Sequence, residues 1–369
     1  MHQTLTQLTT IDGETLMSKP LTPIRFVVQS LVPQGLHILA GAPKVGKSWL
    51  ALWLCLQVAK GDPVWSFPTE KGTTLYLCPE DSEARIQNRL FDITEDAPPD
   101  IHFATLSHRI GSGLEQQIET FVTEHPDTAL IVIDTLQKVR TVSNDNAYAN
   151  DYRDLGILKT VADKLGVAIV LIHHLRKQKD SDPMNMVSGT TGITGAVDST
   201  FVLEKDRRSS GSAVLFCSGR DIEYRELILS FDTLTHLWEL QMDSVENPEV
   251  LLEDDLLFLC DWLRSLGSFT GTPTELFDAL KPLGLKIKTA NVLSKKLVQN
   301  QKELATLGVF YSSSRSNGRR TVSITSAGSD GSDDKTEMPP YPKSADPVDP
   351  AGTEPAGAIT EKEKPLAER

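Results

Sequence analysis

Cysteine is scarce: Cys55, Cys78, Cys217 and Cys260 are the only four in 369 residues, and no two form a Cys-x-x-Cys pair. A secreted disulfide framework and a thiolate metal cluster are therefore not expected. Long apolar runs are missing too. The longest, around Trp49–Ala59, is interrupted by Gln57 and is too short to span a bilayer. No basic region followed by an apolar stretch opens the chain, so neither a signal peptide nor membrane attachment is expected. A soluble cytoplasmic protein is the expectation. Excess positive charge is also absent, since 37 basic residues against 50 acidic ones give a net charge of −13. That balance argues against a histone-like basic coat but leaves basic surfaces on single domains open. A hydrophobic share of 39% is low for a chain folded throughout, so part of it is expected to be solvated.

What is present alternates. Residues 1–20 are polar and Thr-rich without periodicity and read as a flexible lead-in. Leu36–Ala40 reads as a short buried strand, followed by a Gly-rich turn and an apolar helix from Ser48 to Lys60. Thr73–Cys78 is a second strand and Ser82–Leu90 opens a helix. Ala129–Ile133 and Val167–Ile172 are fully apolar strands of the parallel-sheet type, separated by a helix over Asp151–Leu165. Strands at Ser199–Leu203, Ala213–Cys217 and Glu226–Phe231 are spaced closely enough for an antiparallel extension. The fold class is therefore α/β with a mostly parallel sheet.

Gly41-Ala42-Pro43-Lys44-Val45-Gly46-Lys47-Ser48 fits the phosphate-loop pattern GxxxxGK[ST], with a strand before it and a helix after it. Glycines let backbone N–H groups curl around phosphates, and the helix N-terminus adds favourable dipole charge. The pattern assigns Lys47 to the β- and γ-phosphates and Ser48 to Mg²⁺; Trp49, next in line, is counted with the ATP-binding residues. A chance Gly-rich turn is the competing reading, and the strand–turn–helix context disfavours it.

A second metal-holding acid should end a neighbouring strand, and Asp134 does so after Ile131-Val-Ile133. Glu80 closes the Leu75-Tyr-Leu-Cys-Pro79 strand and is the candidate catalytic base, with Asp81 beside it. Capping of the helix at Ser82 competes for both carboxylates, more strongly for Asp81. His173 and His174 end another strand, where a side chain can sense the γ-phosphate. Adjacent strand residues point to opposite faces, so a metal pair is disfavoured there.

Taken together, Leu36–Ser48, Leu75–Arg89, Leu130–Asp134 and Ile172-His-His-Leu-Arg-Lys177 resemble the RecA-like ATPases of the hexameric helicase RepA type and their relatives on phages and mobile elements. The resemblance covers about residues 20–245. It implies ATP and Mg²⁺ as cofactors, Glu80 as catalytic base, a homo-hexameric ring, and single-stranded DNA and replication proteins as partners. It places the loop after the histidine pair, Gln178–Val197 with three glycines between Ser188 and Gly195, in the central channel, with Lys177 and Lys179 supplying charge for DNA. It also implies an arginine completing the neighbouring subunit's site. Arg220 in Ser218-Gly219-Arg220 is the candidate, although Ser218 stands where related helicases have lysine; pairing with Asp221 or Glu223 is the competing role, and Arg207 and Arg208 are fallbacks.

Beyond Asn247-Pro248 the pattern changes. Leu251–Leu266, Pro273–Leu280 and Thr289–Leu307 read as helices, and Val309–Tyr311 and Thr321–Ile324 as strands flanking Ser-Arg-Ser-Asn-Gly-Arg-Arg. This is the layout of a winged helix, which this segment resembles, over residues 250–326. Nine basic and three acidic residues give Thr270–Ser326 a charge of +6. Lys295, Lys296, Arg315, Arg319 and Arg320 are the candidate contacts to DNA, single-stranded or duplex. A protein-binding module or a solvated basic face is the competing reading. Residues 327–369 are acidic and Pro-rich, and read as a disordered tail.

The domain expectation is thus a lead-in over 1–20, a RecA-like ATPase over 21–246, the winged helix and the tail. An ATP-gated loader or regulator that binds DNA without moving on it, or a recombination mediator, would use the same motifs.

Overall fold

A computed structural model describes residues 10–21, 23–140, 147–176, 180, 182–187, 191–205, 211–316 and 319–327. The tail expected over 327–369 therefore lies, but for Ala327, outside the described residues.

The lead-in carries one element that hydrophobic periodicity does not announce. Asp12 caps a short exposed helix, α1 (Gly13–Ser18), accepting from the Thr15 N–H at 2.9 Å. The signal is local: a capping carboxylate followed by Glu14 in the first turn, both favourable at a helix N-terminus. A small hairpin follows, β1 (Phe26–Val28) against β2 (Val32–Pro33).

The main sheet is built from β3 (Gly35–Gly41), α2 (Lys47–Lys60), β4 (Thr73–Leu77), α3 (Glu83–Ile93), β5 (Ile101–Ala104), α4 (Leu114–Glu124), β6 (Thr128–Ile133), α5 (Leu136–Val139), α6 (Ala147–Leu165), β7 (Ala168–His174), α7 (Thr191–Ala196) and β8 (Ser199–Glu204). It continues through β9 (Ser212–Gly219), β10 (Arg225–Phe231) and β11 (Trp238–Asp243). The nine strands lie in the order β11-β10-β9-β8-β3-β7-β6-β4-β5. From β8 to β5 every pairing is parallel, and β9, β10 and β11 extend the sheet antiparallel. Every residue of β3, β4 and β6 is buried, as expected of strands covered on both faces. One face packs α2 through Leu52, Cys55, Leu56 and Val58; the other packs α4 and α6 through Ile118, Leu155, Leu158 and Ala162. Strand and helix together make the doubly covered α/β layer the sequence predicts. In the antiparallel extension burial alternates, with Ala213, Leu215, Cys217, Leu227 and Leu229 inside.

The remainder forms α8 (Asp254–Leu266), β12 (Ser268–Gly271), α9 (Pro273–Leu280), α10 (Ala290–Gln299), α11 (Gln301–Thr306), β13 (Val309–Ser316) and β14 (Arg319–Ser326), with strand order β12-β14-β13. It has its own core, centred on Leu256, Leu259, Leu263, Leu280, Leu293, Leu297, Val309 and Ile324. A single long helix over 289–307 does not form. Asn300 leaves helical geometry and its Nδ2 donates back to the Lys296 carbonyl at 2.8 Å, separating α10 from α11.

Besides α1, the elements β1, β2, β5, α4, α5, α7, β11 and β12 have no counterpart in the sequence reading. Most are short, and tertiary pairing decides the strands: β1 against β2, β5 against β4, β11 against β10 and β12 against β14.

Candidate functional site

Register gathers the motifs at one end of the sheet. Gly41 pairs with His174 on β7 and with Leu203 on β8; Ile133 pairs with Leu77 and Leu171. The segments leaving β3, β7, β6 and β4 therefore share the carboxyl edge, where open α/β sheets bind ligands.

The phosphate loop leaves β3 and enters α2 through Gly46, whose φ of 106° lies in the region that favours glycine. A Cβ there would come within 2.9 Å of the Trp238 indole nitrogen, and one at Gly41 within 2.7 Å of the Leu203 carbonyl. Lys47 is buried, and its Nζ donates to the Gly41 and Ala42 carbonyls at 2.9 and 3.0 Å. Burial pulls its pKa down to about 8, partly opposed by Asp134. The ammonium is thus held inside the loop in poor solvent, where a phosphate group would restore its charge.

Asp134 ends β6, buried, its N–H donating to the Leu77 carbonyl at 2.8 Å. Tyr76 on β4 donates its phenol O–H to Asp134 Oδ2 at 2.7 Å and lies 3.5 Å from the Ser48 carbonyl. Burial first, then the neighbouring carboxylate, pushes the Tyr76 pKa well up, so the phenol stays a donor. One carboxylate oxygen of Asp134 is therefore oriented by Tyr76. The hydroxyl of Ser48 and the carboxylate of Asp134 are the hard oxygen donors that suit Mg²⁺ shared with phosphate oxygens.

Two adjacent carboxylates have different surroundings. Asp81 is gripped by Arg85 at 2.8 Å and Arg89 at 2.5 Å. Ser82, not Asp81 or Glu80, caps α3, which removes the capping reading for both carboxylates. Glu80 has 45% of its side chain exposed and meets Lys138 at 3.4 Å. His173 is buried in β7 and His174 is exposed beyond it. The His174 pKa is lowered, by burial first and then by Lys47, while Glu80 and Asp134 oppose the shift. That field joins the residues read as separate motifs into one site.

An aromatic group beside the loop escapes sequence reasoning. Trp49 stacks on His236 with centroids 4.4 Å apart and rings 11° from parallel, and the Arg89 guanidinium lies 5.7 Å from the Trp49 ring. Trp238 Nε1 reaches the Gly46 carbonyl at 3.4 Å, and Trp65 Nε1 donates to the Trp238 carbonyl at 2.6 Å. The turn between β10 and β11 thus stands over the start of α2. His236 takes a positive φ of 55° there. A signal existed in the aromatic pair His236-Leu-Trp238, but nothing local links it to a loop almost two hundred residues away.

Other expected residues fall elsewhere. Ser199, at the start of β8, pairs with Gly219, so Arg220 stands at the end of the sheet opposite the phosphate loop of its own chain. Arg220 meets Asp198 at 3.5 Å and the Gly195 carbonyl at 3.4 Å rather than Asp221 or Glu223. Lys177, Lys179, Arg207 and Arg208 lie outside the described residues. Part of the expected channel loop is structured, as a 3-10 turn at Pro183–Met186 and α7. In the C-terminal module Lys295, Arg315, Arg319 and Arg320 are exposed, whereas Lys296 forms an ion pair with Glu253. Among the described residues no helix is long and apolar enough to cross a membrane.

A phosphate loop after β3, an aspartate ending a strand two places away with β7 between them, and a carboxylate after β4 lie together at the carboxyl edge of a P-loop α/β core. Residues 3–180 match a family model described as an AAA domain. The chain is 23% identical over 282 residues to the DNA repair protein RadA of Halalkalibacterium halodurans, covering 75% of this chain and 53% of that protein. It thus spans about half the length of that curated relative. A solved ATPase domain of another protein is 14% identical, with a TM-score of 0.48 over 57% of this chain and 85% of that one.

Proposed function

We propose that the chain is an ATP-dependent DNA helicase of the RepA type, hydrolysing ATP to ADP and phosphate and translocating on single-stranded DNA as a hexameric ring. Its setting is replication of a phage, plasmid or integrative element, alongside other replication proteins. One observation carries the reading: Lys47, Ser48, Asp134, Glu80 and His174 meet at the carboxyl edge of adjacent strands.

Lys47 turns from the Gly41 and Ala42 carbonyls to the β- and γ-phosphates. Ser48 and Asp134 would hold Mg²⁺, which when bound would screen the phosphate charge. Glu80, the freer of the two carboxylates on this edge, takes the proton of the attacking water as its oxygen bonds to the γ-phosphorus and the bond to ADP breaks. His174 feels the change in charge, and α7 and the segment before it carry it to DNA. Arg220 faces the neighbouring subunit's site, in keeping with its distance from the site of its own chain. The DNA assignment is supported by similarity to a protein named for DNA repair. The helix–strand–helix–helix–helix–hairpin order of residues 254–326 supports a winged-helix DNA-binding module.

Unwinding of a forked duplex tests this reading: ATP-dependent strand release is expected, and binding without release would make the chain a loader or regulator instead. The same similarity favours one other reading, a recombination mediator, which predicts strand exchange between homologous DNAs.

A further inference from the structure

The β13–β14 hairpin ends in positive charge that the described fold does not balance. Val309, Tyr311, Val322 and Ile324 form its buried inner face. Arg315 and Arg320 continue that face past the edge of the core, exposed and directly opposite each other. Like charges in directly opposed positions destabilise a strand pair. Neither strand carries an acid. Arg320 donates to the Tyr311 phenol at 3.1 Å, a neutral partner. The Tyr311 carbonyl accepts from Gln301 Nε2 at 2.9 Å, which brings the start of α11, with exposed Lys302, against the same strand. Arg319 lies in the field of Glu275, a carboxylate already accepting from the Thr272 N–H at 2.7 Å. Lys302, Arg315 and Arg320 have no acidic partner among the described residues.

The counter-charge lies further along the same chain. Residues 328–354 hold seven acids and two lysines, whereas 355–369 hold three acids and three bases. The whole excess of −5 beyond the module therefore sits in the first stretch. Four of its acids, Asp330, Asp333, Asp334 and Glu337, fall within ten residues of Ala327. Ala327 is tied to the base of the hairpin, its N–H donating to the Gly308 carbonyl at 2.7 Å. From Val309 at that base, Arg315 is six residues up the strand, about 20 Å at 3.4 Å per residue. Six to ten extended residues cover about 20–36 Å, so Asp333, Asp334 and Glu337 reach the arginine pair. The first 269 residues carry −14 and repel the same acids.

We propose that residues 328–354 fold back over the arginine end of the hairpin and the start of α11 of their own chain, and compete there with DNA. The competition rests on the reading of the module as DNA-binding; the occupancy does not. Exposed ion pairs are individually weak and salt-screened, but a short tether holds the acids at about millimolar local concentration. The result is a cover that a polyanion displaces. It raises the DNA concentration the module needs and leaves the ATP site untouched.

Carbodiimide coupling of the full chain, which joins carboxylates to amines, reads the occupancy by peptide mass spectrometry. Arg315→Lys supplies an amine at the hairpin end with the charge kept. At low salt, Lys302 and that amine should couple to acids within Asp330–Glu337. Coupling should fall away at about 1 M salt, where screening acts within about 3 Å. Mixing isotope-labelled with unlabelled protein shows which chain the acids come from. Anisotropy with a fluorescent random-sequence duplex reads the competition. Asp330→Asn, Asp333→Asn, Asp334→Asn and Glu337→Gln together should tighten duplex binding severalfold at low salt and leave DNA-free ATP hydrolysis unchanged. That gain should shrink as salt rises. Coupling to neither amine at low salt would overturn the proposal and leave the DNA reading standing. Coupling only between labelled and unlabelled chains would overturn it in favour of a contact between copies. Coupling with equal duplex affinity in both proteins would overturn the competition alone. Coupling with no duplex binding by either protein would overturn the competition together with the DNA reading and uphold the occupancy.

Discussion

The phenol of Tyr76 donates a 2.7 Å hydrogen bond to Asp134 Oδ2, tying the middle of β4 to the carboxylate that ends β6. The phenol oxygen also lies 3.5 Å from the Ser48 carbonyl, so one buried side chain spans both proposed metal-binding residues. Tyr76→Phe keeps the ring and removes the bond. A hydrogen bond to a charged group contributes about 1.5–3 kcal/mol, and a stability loss of that order is expected by denaturant titration. The Mg²⁺ concentration giving half-maximal nucleotide affinity should rise severalfold. An unchanged Mg²⁺ requirement would show that Tyr76 supports only the fold.

Lys47 carries a pH signature. Its folded pKa of about 8 lies below the ordinary 10.5, so between those values the unfolded chain binds more protons. Stability from this group therefore rises as pH climbs through that window. The wild type should gain on Lys47→Met from pH 8 to 10 in thermal melts. A phosphate beside Nζ reverses the shift, so ATP binding at pH 9 should take up protons, read by calorimetry in two buffers of different ionisation enthalpy. No uptake would place the ammonium away from the phosphates.

The Trp49–His236 stack adjoins Ser48, so nucleotide binding should alter tryptophan emission. Trp49→Phe is expected to lose most of that change, and His236→Ala to weaken ATP binding severalfold in a fluorescence titration. Equal affinity in both variants would separate the stack from the nucleotide.

Arg220 divides two roles. Asp198 Oδ2 accepts from the Leu36 N–H at 2.9 Å and from Lys159 at 2.8 Å; Lys159 also pairs with Asp163, so Asp198→Ala should cost about 1–3 kcal/mol, chiefly by leaving the buried Leu36 N–H unpaired. Arg220 is mostly exposed, and Arg220→Ala should lose ATP turnover without that loss of stability. Mixing Arg220→Ala with Lys47→Ala protein should restore part of the activity, because some interfaces then pair an intact loop with an intact arginine. No restoration would confine Arg220 to its own chain.

Much of this site was legible from local pattern. The strand–loop–helix around Lys47, the apolar strand ending at Asp134 and the strand closing on Glu80 each carry their signal within a dozen residues. Tyr76 reads as an ordinary core aromatic until β4 lies beside β6. Trp238 meets Gly46 only because three antiparallel strands bring the chain back across the sheet. Lys296 looked like Lys295, its neighbour; a turn of 100° separates a fold-holding ion pair from an open face. Periodicity reports which residues are inside, whereas partners far along the chain depend on sheet order.

ATP turnover by purified protein, with and without single-stranded DNA, tests the central claim most directly. The wild type should hydrolyse ATP, faster with DNA, and Lys47→Ala and Glu80→Gln should abolish turnover while remaining folded. Turnover at the wild-type rate in Lys47→Ala, or a rate indifferent to DNA, would contradict a DNA-acting ATPase built on this site.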